Sequence, residues 1–294
     1  PRLQQKNSAL ALFMLRQRLI IALLIVPPGL LCIVQGGILF NLTILAGYAI
    51  AAHEYAQMMQ QGGHRPARLL IVAGVVLLAS AQAAPVLWLE LEARAWLLSG
   101  GVLMMLMVAA TAWHMVDYER GAAASGTDWA VTLAGMIFLG WGCGYYIHLR
   151  ALPDGMWWTF IVLPSIWLAD SGAYIAGKRW GKHLMSPRLS PKKTWEGLVG
   201  GTVSGTLFGT FVGWLGSIAL GPEATVGVMA GMSVGFVAAV ASVLGDLGIS
   251  MFKRQVGIKD TGNLLGAHGG LLDRIDSWLI AGPVAYFVIV LFFQ

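Results

Sequence analysis

Between Ser250 and Asp276 the chain reads SMFKRQVGIKDTGNLLGAHGGLLDRID, and eight side chains there suit ligand chemistry: Lys253, Arg254, Lys259, Asp260, His268, Asp273, Arg274 and Asp276. That density stands out in 294 residues with only 19 Lys and Arg and 14 Asp and Glu. Asp246, Ser250 and Lys253 recur at i, i+4 and i+7, so a helix would stack carboxylate, hydroxyl and ammonium on one face. Asp273 and Asp276, three apart, would share a face of the next helix. Acidic groups converging from two helix ends, with bases on the connection between them, suit a divalent ion and a polyphosphate. Mg2+ takes hard oxygen ligands, usually one or two carboxylates plus phosphate oxygens, and Lys and Arg meet the remaining phosphate charge. Gly269-Gly270 would let backbone amides approach an anion, although a simple turn uses the same pair. A solvated loop accounts for Lys253 and Arg254. It accounts poorly for Asp246 and Asp170, because carboxylates within apolar spans are costly and by default mark function.

A second cluster runs from Leu168 to Gly197, LADSGAYIAGKRWGKHLMSPRLSPKKTWEG. Asp170, Tyr174 and Lys178 repeat every four residues, one helical face again, and Gly177, Gly181 and Ser190-Pro191 break the helix beyond them. Lys192 and Lys193 precede Thr194, Trp195 and Glu196 at the start of another apolar stretch. Helix N-termini welcome anions, so two lysines beside one suit a phosphate; anchoring to acidic headgroups is the plainer alternative. His53, His64, His114, His148 and His183 suggest only polarity at the interface or within the bundle.

The elements that must position these groups are membrane helices. Charged residues are 11% of the chain, against about 25% in a soluble domain, hydrophobic residues are 57%, and mean hydropathy is +0.71. Disorder, collagen and disulfide scaffolds are excluded by the same composition, and Cys32 and Cys143, both in apolar runs, are expected as free thiols. The expected fold is therefore all-α and polytopic, with about nine crossings: Leu19–Val34, Gly36–Ala56, Leu69–Leu89, Ala95–Met115, Trp129–Leu149, Gly155–Ala176, Gly197–Leu220, Val226–Phe252 and Ser277–Phe293. The first contains Pro27-Pro28 and reads as a kinked, retained helix rather than a cleaved signal.

With the N-terminus in the cytoplasm, 17 of the 19 Lys and Arg fall in cytoplasmic segments and only Arg94 and Arg150 lie opposite. The net charge of +5 thus records orientation and does not call for nucleic acid. The two longest basic connections, Lys178–Glu196 and Lys253–Asp276, place chemistry in residues 151–294 and leave 1–150 as a scaffold of about five helices within one integrated fold. Gly197, Gly201, Gly205, Gly209 and Gly213 recur every four residues, as do Gly227, Gly231 and Gly235. Each series gives its helix a bare ridge for close packing.

Ser250–Asp276 resembles the signature of the phosphatidate cytidylyltransferases, or CDP-diacylglycerol synthases: S-x-apolar-K-R, then K-D, then H-G-G-apolar-x-D-R-apolar-D. Asp170–Lys178 and the SPKKTWEG of Ser190–Gly197 are similar to further segments of that family, and weaker matches fall at Arg18–Ala22 and Glu54. The resemblance implies an integral enzyme of the cytoplasmic (inner) membrane that joins CTP to phosphatidate, with Mg2+ on Asp246 and Asp273 and room for a second cation. Its site would face the cytoplasm.

The chemistry proposed from this is attack by a phosphatidate oxygen on the α-phosphorus of CTP. Asp276 would support the metal-bearing pair. Lys192, Lys193, Lys253, Arg254, Lys259 and Arg274 would neutralise phosphate, with Ser250, Asp260, Gly269, Gly270, Asp170, Tyr174 and Lys178 lining the substrates and His268 touching a phosphate or the leaving group. A homodimer stays open. The rivals are a CTP-dependent lipid kinase, which would need a base for its alcohol acceptor, and an ion-coupled transporter using Asp170 and Asp246.

Overall fold

The computed structural model describes residues 27–87, 95–262, 264 and 269–294. Its helices are α1 (27–35 of the described residues), α2 (Gly37–Gln61), α3 (Arg68–Leu87), α4 (Ala95–Glu119), α5 (Ser125–Ala151), α6 (Gly155–Trp180), α7 (Trp195–Leu220), α8 (Val228–Gln255), the single turn α9 (Leu272–Ile275) and α10 (Trp278–Phe292). Helices prevail because hydrocarbon offers the backbone no hydrogen-bond partner, and a helix satisfies its amides internally.

Among the described residues seven helical segments are long and apolar enough to cross a bilayer; α3 adds a shorter apolar stretch, Arg68–Ala84. Eight of the nine expected crossings thus coincide with helices. The first overlaps α1, and its earlier part, with Arg18–Ala22, lies outside the described residues. Most helices are apolar all round, since lipid accepts the outward face. Peripheral α4, for instance, exposes Trp96, Met104, Met105 and Val108. Inward faces carry the large buried side chains Trp158, Tyr48, Tyr55, Tyr146 and Phe40.

The glycine ridges join α7 to two partners. A Cβ on Gly197 or Gly201 would press on the α6 carbonyls of Ala173 and Ala169, whereas one on Gly209 or Gly213 would press on the α8 backbone at Gly231 and Gly227. Gly205 lies where the three helices meet, 2.8 Å from Ala239 Cβ and 3.0 Å from the Ser165 carbonyl by the same construction. Backbones approach this closely only where side chains are missing. Further along α8 toward the site, Gly245 lets that helix abut the backbone of Asp276 and Ser277, which brings Asp246 up to Asp276.

The expected basic connections gather at one end of the bundle. Arg65 N donates to Asp128 Oδ1 (2.9 Å), Gly62 faces Val256, and Arg254 Nε donates to the Leu189 carbonyl (3.0 Å). At the other end Arg150 donates to the carbonyls of Ile33 (2.8 Å) and Val34 (3.2 Å), capping α1 where Gly36 and Gly37 turn the chain at positive φ. One of the two bases expected opposite the rest therefore ties two connections together.

The connection Lys178–Glu196 is not a simple loop. α6 runs on to Trp180, and an antiparallel hairpin follows, β1 (Leu184–Ser186) with β2 (Ser190–Thr194), pairing Leu184 with Thr194 and Ser186 with Ser190. An all-α expectation misses it because Pro191 and two lysines in a short run carry little strand signal. Cys32 and Cys143 are free thiols, as expected.

Candidate active site

β2 ends where α7 begins. Thr194 caps α7 by accepting from Gly197 N (3.1 Å), so the residue before it, Lys193, is fixed relative to the helix. Its ammonium reaches across to α8 and pairs with Asp246 Oδ2 at 2.6 Å, while Ser250 Oγ donates to Asp246 Oδ1 at 3.2 Å. The expected i, i+4 stacking on α8 is thus present. Glu196 secures the hairpin's other strand, accepting from His183 Nδ1 (2.6 Å) and from the backbone amides of Lys182 (3.1 Å) and His183 (3.3 Å). Neither Glu196 nor His183 stood out by spacing.

Asp170, Tyr174, Lys192, Lys193, Gly197 and Asp246 line a cavity of about 270 Å3 at this junction. Lys178 is one turn past Tyr174, its ammonium 5.8 Å from that ring's centroid, a cation–π contact. Arg254 is held to the hairpin turn and sits beside a further recess of about 700 Å3 with Ser186 and Arg188.

Asp273 anchors the other half. Its Oδ1 accepts from Lys253 Nζ at 2.8 Å, and its Oδ2 from Thr261 N (2.8 Å), Thr261 Oγ1 (3.1 Å) and Gly270 N (3.1 Å). Gly270 N, expected to approach a bound anion, donates here to the protein's own carboxylate. The residue must be glycine for another reason: a Cβ would fall 2.5 Å from both Glu54 Oε2 and Thr261 Oγ1. Gly269, at φ +76°, supplies the left-handed turn that delivers this amide.

Glu54 had surfaced only as a weak family match. It lies on α2, 4% exposed, and accepts from Leu271 N (3.0 Å), Leu272 N (2.7 Å) and Thr261 Oγ1 (3.4 Å). A buried carboxylate is tolerable only when hydrogen-bonded in this way. It receives the opening amides of α9 and so sets where Asp273 stands. Thr261, which bridges Glu54 and Asp273, gave no sequence signal, and α2, one of the helices expected to serve as scaffold, supplies this support.

Asp276, nearly buried, accepts from Ser277 N (2.7 Å) and lies within electrostatic reach of Asp246 and Asp170. Arg274 and Lys193 are close enough to act on Asp170. The structure therefore collects Asp170, Asp246, Asp273 and Asp276 with Lys192, Lys193, Lys253 and Arg274 at one end of α6, α8 and α9. Lys259 and Asp260 are exposed beside it, Asp260 next to Gly269. His268 lies outside the described residues.

Among the described residues no three His, Cys, Asp or Glu side chains form a ready-made cage. Mg2+ asks for less, one or two carboxylates completed by phosphate and water. Asp246 and Asp273 each meet an ammonium at contact distance, Lys193 and Lys253, so a cation would take the place those lysines hold here.

The family model described as the cytidylyltransferase family matches residues 16–292. A phosphatidate cytidylyltransferase of Synechocystis sp. is 30% identical, over 94% of this chain and 96% of its own length. One of Pseudomonas aeruginosa is 36% identical over 92% and 95%, and one of Haemophilus influenzae 41% identical over 44% of each. The likeness read from Ser250–Asp276 thus extends through nearly the whole chain.

Proposed function

The chain belongs to the cytidylyltransferase family, and we propose that its carboxylate–lysine basin joins CTP to phosphatidate, releasing pyrophosphate and leaving CDP-diacylglycerol in the membrane. The observation that carries this reading is the pairing of Asp246 with Lys193 and of Asp273 with Lys253, drawn from separate segments into one basin.

A phosphomonoester has its second ionisation near pH 6, so at neutral pH the lipid phosphate is already a nucleophile and needs no strong base. One of its oxygens bonds to the α-phosphorus of CTP as the bond to the β-phosphate oxygen breaks, and the electron pair leaves with pyrophosphate. What remains for the protein is alignment and charge neutralisation. Lys193 and Lys253 turn from their carboxylates to the phosphates, Lys192 joins them from β2, and Arg254, Lys259 and Arg274 hold the outer charge. Asp246 and Asp273, supported by Asp276 and Asp170, would hold Mg2+, which supplies positive charge to the phosphate oxygens when bound; the surplus of carboxylates leaves room for a second cation. Ser250 keeps Asp246 oriented. Gly269 and Asp260 edge the basin beside Asp273, and His268 is assigned contact with a phosphate or the leaving group from its place in the signature alone.

The basin would open to the cytoplasm of a cytoplasmic-membrane protein, a placement supported by the 17 basic residues assigned to that side. CTP would enter there and the lipid sideways, between helices. The acceptor tests the reaction: with CTP and Mg2+, purified protein is expected to consume phosphatidate and leave diacylglycerol untouched. Phosphorylation of diacylglycerol would instead identify a lipid kinase.

A further inference from the structure

On the far side of the α9 turn lies a second cavity of about 460 Å3, walled by α1, α2, α6 and α10 and lined by Cys32, Phe40, Gly47, Leu163, Leu271 and Ile275, among others. Its size falls within the range of small-ligand sites, and its walls are almost wholly apolar. Of the polar groups among its lining residues, Thr43 Oγ1 donates to the Leu39 carbonyl (2.8 Å), whereas Tyr48 Oη and Trp278 Nε1 are buried and have no hydrogen-bond partner. Tyr48 is 1% exposed. Such orphans are costly, and here they are not a general property of the surrounding aromatic cluster, because Tyr146, 6.3 Å from the Tyr48 ring and 5.6 Å from the Trp278 ring, donates its hydroxyl to the Trp278 carbonyl at 2.9 Å.

Tyr48 and Trp278 offer donors and no competing charge. The complementary ligand is a long apolar chain with neutral carbonyl acceptors at one end. The position narrows this further: Leu271 and Ile275 line the cavity from the same turn that carries Asp273, and Glu54 holds the Leu271 amide. A lipid whose phosphate lay at Asp273 and Lys253 would have its ester carbonyls and first methylenes on this side of the turn.

We propose that this cavity receives an acyl chain of the phosphatidate substrate, with the Tyr48 hydroxyl and the Trp278 indole N–H donating to an ester carbonyl. The assignment rests on the reaction given above and deepens it, by separating a headgroup site on one face of α9 from a chain site on the other.

The protein's own thiols test it. Cys32 is half-buried on the cavity wall, with Sγ 3.6 Å from Thr43 Oγ1, whereas Cys143 is fully buried, so a maleimide distinguishes them. Dioleoyl phosphatidate at about ten times its Kd is expected to slow Cys32 labelling about tenfold by mass action, while CTP or glycerol 3-phosphate leaves it unchanged. Unchanged labelling under lipid saturation, or equal protection by phosphatidylcholine, overturns the assignment.

Kinetics supply the second readout. A side chain at Gly47 would enter the cavity with its Cβ meeting only Leu271 Cδ2, at 4.0 Å. Gly47→Leu is therefore expected to raise KM for long-chain phosphatidate while KM for CTP holds. Tyr48→Phe should raise KM for ester-linked phosphatidate about threefold to tenfold, the worth of one hydrogen bond, and have no effect with an ether-linked analogue. Equal effects on both lipids contradict the donor role. A wild-type protein that makes no CDP-diacylglycerol would count against the reaction, whereas Cys32 protection would still report on the cavity.

Discussion

The α7–α8 seam and the α9 turn both bring distant segments within van der Waals reach, by opposite means. The seam works by omission: Gly205, Gly209, Gly213, Gly231 and Gly235 carry nothing, so helix backbones touch and the fit is set by geometry alone. The turn works by charge, with Glu54 and Asp273 buried or nearly so and together accepting seven hydrogen bonds and contacts from Thr261, Gly270, Leu271, Leu272 and Lys253. A seam without side chains has no second arrangement to adopt. A turn held by a lysine–carboxylate pair can trade that lysine for a ligand, which is what a phosphate site needs.

The contrast is broken most severely at the seam. Gly209→Leu would drive a side chain into the α8 backbone, and Gly205→Leu would do so where three helices meet. Both should lose folded protein, as read by monodisperse elution from detergent, before any change in CTP affinity. A normally expressed, fully active Gly209→Leu protein would mean that the helices do not meet there.

The next effect falls on the charges. Asp246→Asn and Asp273→Asn keep side-chain size while deleting a charged oxygen, and each is expected to reduce turnover by about a hundredfold or more with the fold intact. Near-normal activity at limiting Mg2+ in either variant would remove that residue from the metal. Glu54→Gln is a milder probe, since it keeps one acceptor oxygen but faces amide donors with an NH2. About a tenfold loss of turnover is expected, with elution unchanged and faster proteolysis near Thr261. Intact proteolytic resistance would show that Glu54 does not hold the turn.

Thr261→Val should be smaller still, about threefold to tenfold, because one hydroxyl is lost while the Thr261 amide stays on Asp273. The smallest expected change is in pH dependence. His268→Gln should slow the reaction and leave the acid limb of the rate profile where the lipid's own second ionisation puts it, near pH 6. A displaced limb would make His268 the titrating group.

This difference between regions also decided what the sequence disclosed. Gly197 to Gly213 repeat at helical spacing, so the seam could be read directly, and so could the α8 face of Asp246, Ser250 and Lys253. Asp170, Lys193 and Asp273 were identified by type and position. Glu54 was nearly silent, because its partners are backbone amides more than 200 positions away and no local spacing encodes them. The hairpin was missed for a related reason: its strands are three and five residues long and depend on tertiary anchors such as Glu196. The Gly269-Gly270 pair was noticed correctly but given a different task from the one Gly270 performs, since the anion it meets belongs to the protein.

The central claim is that the basin transfers the nucleotide rather than its terminal phosphate, and following the label in CTP tests it most directly. Two parallel reactions with purified protein, Mg2+ and phosphatidate would carry 32P at the α or at the γ position. The account predicts that α-label enters the lipid phase and γ-label appears only in pyrophosphate. γ-Label in the lipid, with CDP released and no pyrophosphate formed, would contradict it.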